Sequence, residues 1–167
     1  MALIDAFLEE LEEEAATTRR VLERVPDAHL DWRPHPTARS LGQLAQHVAV
    51  IPGAVAEFVT TESAQAPDFS NVDPGPRSAS ELGPTLDDSL NRARKALRSL
   101  DDAALLGTWR LLKGDREVMA LPRAKFLRSV MLNHWYHHRG QLSVYLRALG
   151  QRVPAIYGAS ADENPFG

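Results

Sequence analysis

Four stretches of this chain place apolar residues three and four positions apart, the spacing that paints one stripe along an α-helix, and this leaves few folds open. The first stripe is Ile4, Leu8, Leu11, Ala15, Thr18, Leu22 and Val25, predicting a helix over 2–24 that Pro26 stops. The second is Leu41, Leu44, Val48, Ile51, Val55 and Phe58, predicting a helix from Ser40 to Thr61, with Ser40 and Gln43 as a capping box. Pro52 lies inside it and removes a donor aimed at the carbonyl of Val48, so a kink is expected one turn after His47. The third stripe, Leu82, Leu86, Leu90, Ala93, Leu97 and Leu100, follows a possible capping box at Ser78 and Glu81. The fourth is Leu127, Val130, Met131, His134, His138, Gln141, Leu142, Tyr145 and Leu149, with Pro122 as the first helical residue and Gly150 at the end.

The connections are less regular. Asp27–Arg39, with Pro34 and Pro36, reads as an extended link, and residues 62–77 read as the longest loop. Thr108–Met119, with Lys-Gly-Asp in the middle, suits a small hairpin or an irregular crossover. The tail from Pro154 to Gly167 shows no pattern of its own. These readings give an all-α four-helix bundle with long connections, one domain over 1–167, and not a simple up-down-up-down arrangement.

Charge and composition remove several functions. Acids outnumber bases, 22 to 19, and the pI of about 6.1 gives no reason to expect a nucleic-acid partner. The run Arg92, Arg94, Lys95 and Arg98 reads as a solvated helix face. The longest apolar stretch, Val48–Ala56, is short and broken by Pro52 and Gly53, and the first helix is acidic where a signal peptide would be basic, so no membrane partner and a cytoplasmic location are expected. With no cysteine, any metal must be held by His, Asp or Glu.

Six histidines are present, and three fall on apolar stripes. His134 and His138 are four apart, so two imidazoles can reach one ion from one helix face, and His47 on the second helix offers a third ligand. Three imidazoles leave open positions on a divalent transition ion, as in a catalytic site, where the metal lowers the pKa of bound water or thiol. A buried imidazole can also be an ordinary hydrogen-bonded core residue, and both readings stand at this point. His29, His35 and His137 are expected at the surface. Trp135 stands where the metalloprotease motif His-Glu-x-x-His needs Glu, and no phosphate loop or serine-hydrolase elbow is present.

The string Asn133-His-Trp-Tyr-His-His-Arg-Gly-Gln-Leu142, followed by Tyr145-Leu-Arg147, Gly150 and Val153-Pro154, resembles the DinB family of DinB/YfiT-like proteins. Trp32-Arg33-Pro34 and Ser40-Leu-Gly-Gln-Leu44 leading into His47 extend the likeness over nearly the whole chain. The resemblance implies a four-helix bundle of unusual connectivity, often a homodimer, with His47, His134 and His138 holding one divalent metal, nickel or zinc. It also implies a metalloenzyme acting on a small-molecule substrate, with a low-molecular-weight thiol as cosubstrate of an S-transferase. A metal-dependent hydrolase and a stress-associated bundle that binds metal or ligand without catalysis are the alternatives. Gly140 is expected to permit close helix approach, Gln141 to support a ligand, and Arg139 to form a structural ion pair. Tyr136 and Trp109 are read as core aromatics rather than site residues.

Overall fold

The computed structural model describes residues 2–68 and 74–167. Each stripe forms a long helix: α1 (Leu3–Leu22), α2 (Leu41–Phe58), α3 (Leu82–Arg98) and a final helix in three parts. After a short α4 (Asp102–Leu106), that final helix starts as α5 (Arg123–Phe126), widens into a π-helical turn over Leu127–Leu132, and continues as α6 (Asn133–Ala148). The stripe residues Leu11, Leu22, Leu44, Val48, Leu86, Leu97, Met131 and Leu142 are all buried in one core. Helix α1 packs mainly on α3 and α6, and α2 packs on the same two. Consecutive α1 and α2 therefore stand diagonally, which an up-down-up-down bundle would not allow.

The expected all-α architecture needs correcting. A three-stranded sheet is present: β1 (Ser63–Gln65) runs parallel to β2 (Thr108–Lys113), which pairs antiparallel with β3 (Arg116–Pro122). The hairpin reading of 108–119 is the right one, closed by a turn at Gly114 with φ +60°. Cross-strand partners Trp109 and Leu121, and Leu111 and Met119, share one face by the period of two. Pro122 ends β3 and caps α5 rather than opening the helix. Part of the supposed loop 62–77 is strand β1, and its stretch 69–73 lies outside the described residues.

Two other connections are more structured than expected. Asp27–His29 is a 3-10 turn, and the link after it docks on the start of α2, where Trp32 and Leu30 carbonyls accept from the N–H groups of Leu41 (2.8 Å) and Gly42 (2.9 Å). Together with the Ser40–Gln43 capping box, which forms as expected, this satisfies the first orphan donors of α2. At α3 the box is altered: Ser78 accepts from Ser80 N–H, and Glu81 accepts from Arg77 N–H. The tail has no helix or strand, yet Val153 and Ala155 are buried, and Asp162 accepts from Val153 N–H at 2.8 Å.

Helix α2 continues through Pro52 and ends at Phe58, short of Thr61. The carbonyl of Val48, which Pro52 cannot pair, accepts the indole N–H of Trp135 at 2.8 Å. One residue on, Gly53 N–H donates to Ser89 Oγ at 2.9 Å, and Ser89 in turn donates to the Val50 carbonyl. A Cβ at residue 53 would lie 2.7 Å from the Ser89 carbonyl oxygen, so α2 and α3 meet here backbone to backbone. Gly53→Ala must push the helices apart and is expected to cost about 1–3 kcal/mol, read as a lower denaturant midpoint with an unchanged slope.

Among the described residues, no helix is long and apolar enough to cross a membrane. The acidic side of α1 meets bases of other helices, Glu10 with Arg128 and Glu12 with Arg94, both pairs partly exposed. Arg92 likewise pairs with Glu57, so the basic run on α3 is a paired face and not merely a solvated one.

Candidate metal centre

Helix α2 supplies His47, and α6 supplies His134 and His138, one helical turn apart. The three present ligand nitrogens that all lie within 4.8 Å of one another. Ring centroids are 5.2 Å apart for His47 and His134, 4.6 Å for His47 and His138, and 4.5 Å for His134 and His138. The Nε2 atoms of His134 and His138 are 2.8 Å apart. His138 Nδ1 donates to Gln141 Oε1 at 2.7 Å, which leaves the lone pair of His138 on Nε2, facing the other two rings.

That tautomer tests whether the donors suit a cation. The Val130 carbonyl favours a proton on the His134 ring, and with that proton on Nδ1 the Nε2 lone pairs of His134 and His138 face each other at 2.8 Å, an approach that a shared proton or a cation relieves. Nε2 of His47 is buried and without a partner. Buried polar atoms are nearly always paired, so a partnerless Nε2 on His47 beside two Nε2 atoms that face each other fits a site for a positive ion. Neutral lone pairs converging on one point fit a divalent transition metal, and imidazole suits several of them.

Burial keeps these rings neutral. Desolvation, helped by the neighbouring histidines and the charge of Arg39, pushes His47 down to about 3 and His138 to about 4. His134 is lowered by desolvation too, opposed by the Val130 carbonyl. The rings are thus ready to ligate without first losing protons. For protein stripped of metal the sign follows directly: unfolded imidazoles take up protons below about pH 6.5 while the folded ones do not, so stability holds above that pH and falls below it. Between about pH 6.5 and 5 the loss is expected to be roughly 1–2 kcal/mol after allowing for solvent screening. The thermal midpoint of chelator-treated protein checks it, and the slope should shrink in His47→Leu.

The cluster stands between two cavities of opposite character. One, about 620 Å³, is lined by His138, Gln141, Gln43, Tyr145, Arg33 and Arg39. The other, about 400 Å³, is reached by His47 and His134 and walled by Ile51, Val55, Phe58 and Phe126, with Leu111 and Met119 of the sheet. The π turn contributes Val130 to this wall directly before the ligands, a usual position for such turns.

The pattern that carries this site spans the chain in order, and a model of the DinB family matches residues 2–164. The chain belongs to the DinB family. It is 28% identical over 161 residues to YrdA of Bacillus subtilis, covering 96% of this chain and 91% of that one. Among solved structures, a DinB-like protein of Bacillus cereus aligns with a TM-score of 0.72 at 25% identity, over 92% of this chain and 97% of its own. YfiT of Bacillus subtilis, described as a probable metal-dependent hydrolase with an unusual four-helix bundle topology, aligns at 0.67 and 18% identity over 89% of each chain. At that identity the likeness speaks to the fold.

Other DinB-pattern residues have different places. Arg139 is an ion-pair partner as expected, buried at 1% exposure against Glu14. Gly140 is exposed with nothing near a built Cβ, so it does not serve close helix approach. His29, His35 and His137 are exposed, as expected. Trp109 packs on Phe126 in the core, and Tyr136 donates to Glu10, away from the cluster. Sequence reasoning gave Arg33 no role beyond its place in the Trp32-Arg33-Pro34 string and passed over Arg39, although both line the cavity beside His138.

Proposed function

We propose that His47, His134 and His138 hold one divalent transition metal, nickel or zinc first among them. We infer further that this family member is a metalloenzyme transferring a low-molecular-weight thiol to a small-molecule electrophile. The observation that carries the metal reading is the convergence of three neutral imidazoles, with the Nε2 atoms of His134 and His138 2.8 Å apart and Nε2 of His47 buried without a partner. Such an ion, when bound, supplies Lewis acidity that lowers the pKa of a thiol or water and polarises a substrate oxygen. Gln141 would fix the tautomer of His138.

Thiol transfer is preferred to hydrolysis because of what surrounds the cluster. Among the described residues, no carboxylate joins the ligand set, and neither cavity is lined by one. Ester and amide cleavage gains from a positioned acid that protonates the leaving group. In thiol transfer the S–H proton passes to solvent in the polar cavity, sulfur bonds to the electrophilic carbon, and a good leaving group departs with its electron pair. The hydrolase reading is favoured by the description of YfiT.

The test uses protein loaded with Ni²⁺ or Zn²⁺, a panel of bacterial thiols with monochlorobimane, and nitrophenyl esters without thiol. Metal-dependent turnover only with a thiol supports the transferase. Ester turnover without thiol supports the hydrolase, and neither leaves a binding protein. The same reading takes the chain as a cytoplasmic homodimer, which light scattering of the purified protein checks as to its assembly.

A further inference from the structure

The two cavities beside the histidines differ in a way that the proposed metal does not explain. Arg39 lines the larger one and is half-buried. Among the described residues its guanidinium has no hydrogen bond or ion pair; only its backbone carbonyl is engaged, by Tyr145 O–H. Arg33 beside it touches only the Ala38 carbonyl, at 3.5 Å. Several other arginines of this chain pair with carboxylates, such as Arg94 with Glu12, Arg128 with Glu10 and Arg147 with Asp162. A cation that is always charged, partly withdrawn from water and without an acid beside it among the described residues projects a positive field into the cavity. Its guanidinium fork matches a carboxylate. The remaining polar lining, Gln43, Thr37 and Gln141, offers neutral hydrogen bonds.

The smaller cavity is the reverse. Apart from His47 and His134 its lining is apolar: Ile51, Val55, Phe58, Leu111, Met119 and Phe126 among others. It offers a charged group nothing to compensate lost hydration. Both volumes fall in the range of about 300–1,000 Å³ usual for ligand sites.

We propose that the histidine cluster divides two subsites: the Arg33–Arg39 cavity takes a small hydrophilic reactant by its carboxylate, and the apolar cavity takes an uncharged apolar reactant. The site is thus built for two different molecules at once, the arrangement a group transfer requires and a hydrolysis does not. This rests on the reading of the cluster as the reacting centre, but it can fail or stand separately from metal binding.

The experiment titrates the whole protein, chelator-dialysed and again zinc-supplemented, with two probes: S-methyl mercaptosuccinate by calorimetry and neutral N-phenylnaphthylamine by fluorescence. The anion is expected to bind wild type and to weaken about tenfold or more in Arg39→Gln, with partial recovery in Arg39→Lys. N-phenylnaphthylamine is expected to bind wild type and Arg39→Gln alike, to be lost in Ala54→Phe, whose ring would fill the apolar cavity that Ala54 lines, and to remain bound when the anion saturates. Circular dichroism shows that each variant is folded. Unchanged anion affinity in Arg39→Gln, no anion binding in wild type, or mutual displacement of the probes would overturn the proposal. Both probes bound in protein that never takes up zinc would instead remove the metal centre and leave the two subsites standing.

Discussion

Replacing His138 with alanine is expected to take the metal content of purified, untagged protein from stoichiometric to background. The reason is geometric: His134 and His138 approach each other at 2.8 Å from one helix face, while His47 comes from another helix, so losing one leaves two donors, and among the described residues no other residue belongs to this group. Changing a residue that merely supports a ligand typically weakens metal binding about 10–100-fold, so losing the ligand itself should exceed about 100-fold. Gln141→Leu provides the internal scale, because it keeps all three rings and removes only the acceptor for His138 Nδ1. It should retain metal with an affinity lowered about tenfold. His137→Ala, on the exposed face of the same helix, should change nothing. Plasma mass spectrometry after dialysis without chelator gives the answer, and wild type without metal would return all three histidines to the core.

The second large effect is on stability. Arg139 is 1% exposed, and its guanidinium reaches Glu14 at 2.5 Å, Thr18 Oγ1 at 3.0 Å and the Glu14 carbonyl at 3.2 Å. Tyr136 and Tyr157 each lie 5.2 Å away by their ring centroids. This group ties α1, α6 and the tail together. Arg139→Ala leaves Glu14, itself only 14% exposed, without its counter-ion and should cost about 3–5 kcal/mol, because the uncompensated carboxylate remains. For a chain of this length that lowers the thermal midpoint by roughly 10 °C. Glu14→Leu combined with Arg139→Met removes both charges and should recover most of the loss. The folded fraction of Arg139→Ala should still carry metal, which separates its role from that of its neighbour His138.

The helices were legible because burying one stripe per helix is a local, periodic demand, and Leu11, Leu44, Leu86 and Leu142 meet it. The histidine cluster was legible for the same reason, since His47, His134 and His138 sit where apolar residues would otherwise stand and the helices bring them together. What escaped depends on distant partners. Strand β1 is three residues long and exists by pairing Ser63 with Arg110, a relation that no local pattern records. The tail orders through side-chain bonds to backbone, as Asp162 does for Val153, and not through periodicity. Trp135 and Arg139 are fully enclosed although they stand one place along from His134 and His138, because Arg139 meets α1 and the tail while the indole of Trp135 meets α2. Arg39 became informative only when its surroundings showed that its guanidinium has no hydrogen bond or ion pair among the described residues.

The indole of Trp135 bonded to the carbonyl that Pro52 frees joins the immediate neighbours of two of the ligands, Val48 beside His47 and Trp135 beside His134. If the three histidines hold an ion as proposed, the separation of the two helices that carry them is set by folding, through this bond among others, and not by that ion. A cage held rigid in this way is preorganised: little ordering entropy remains to be lost on binding. It also selects differently from a pliable one. A pliable cage adjusts to each ion and follows the general rise in affinity towards copper, whereas a rigid one ranks ions by how closely their preferred geometry matches a spacing that cannot relax.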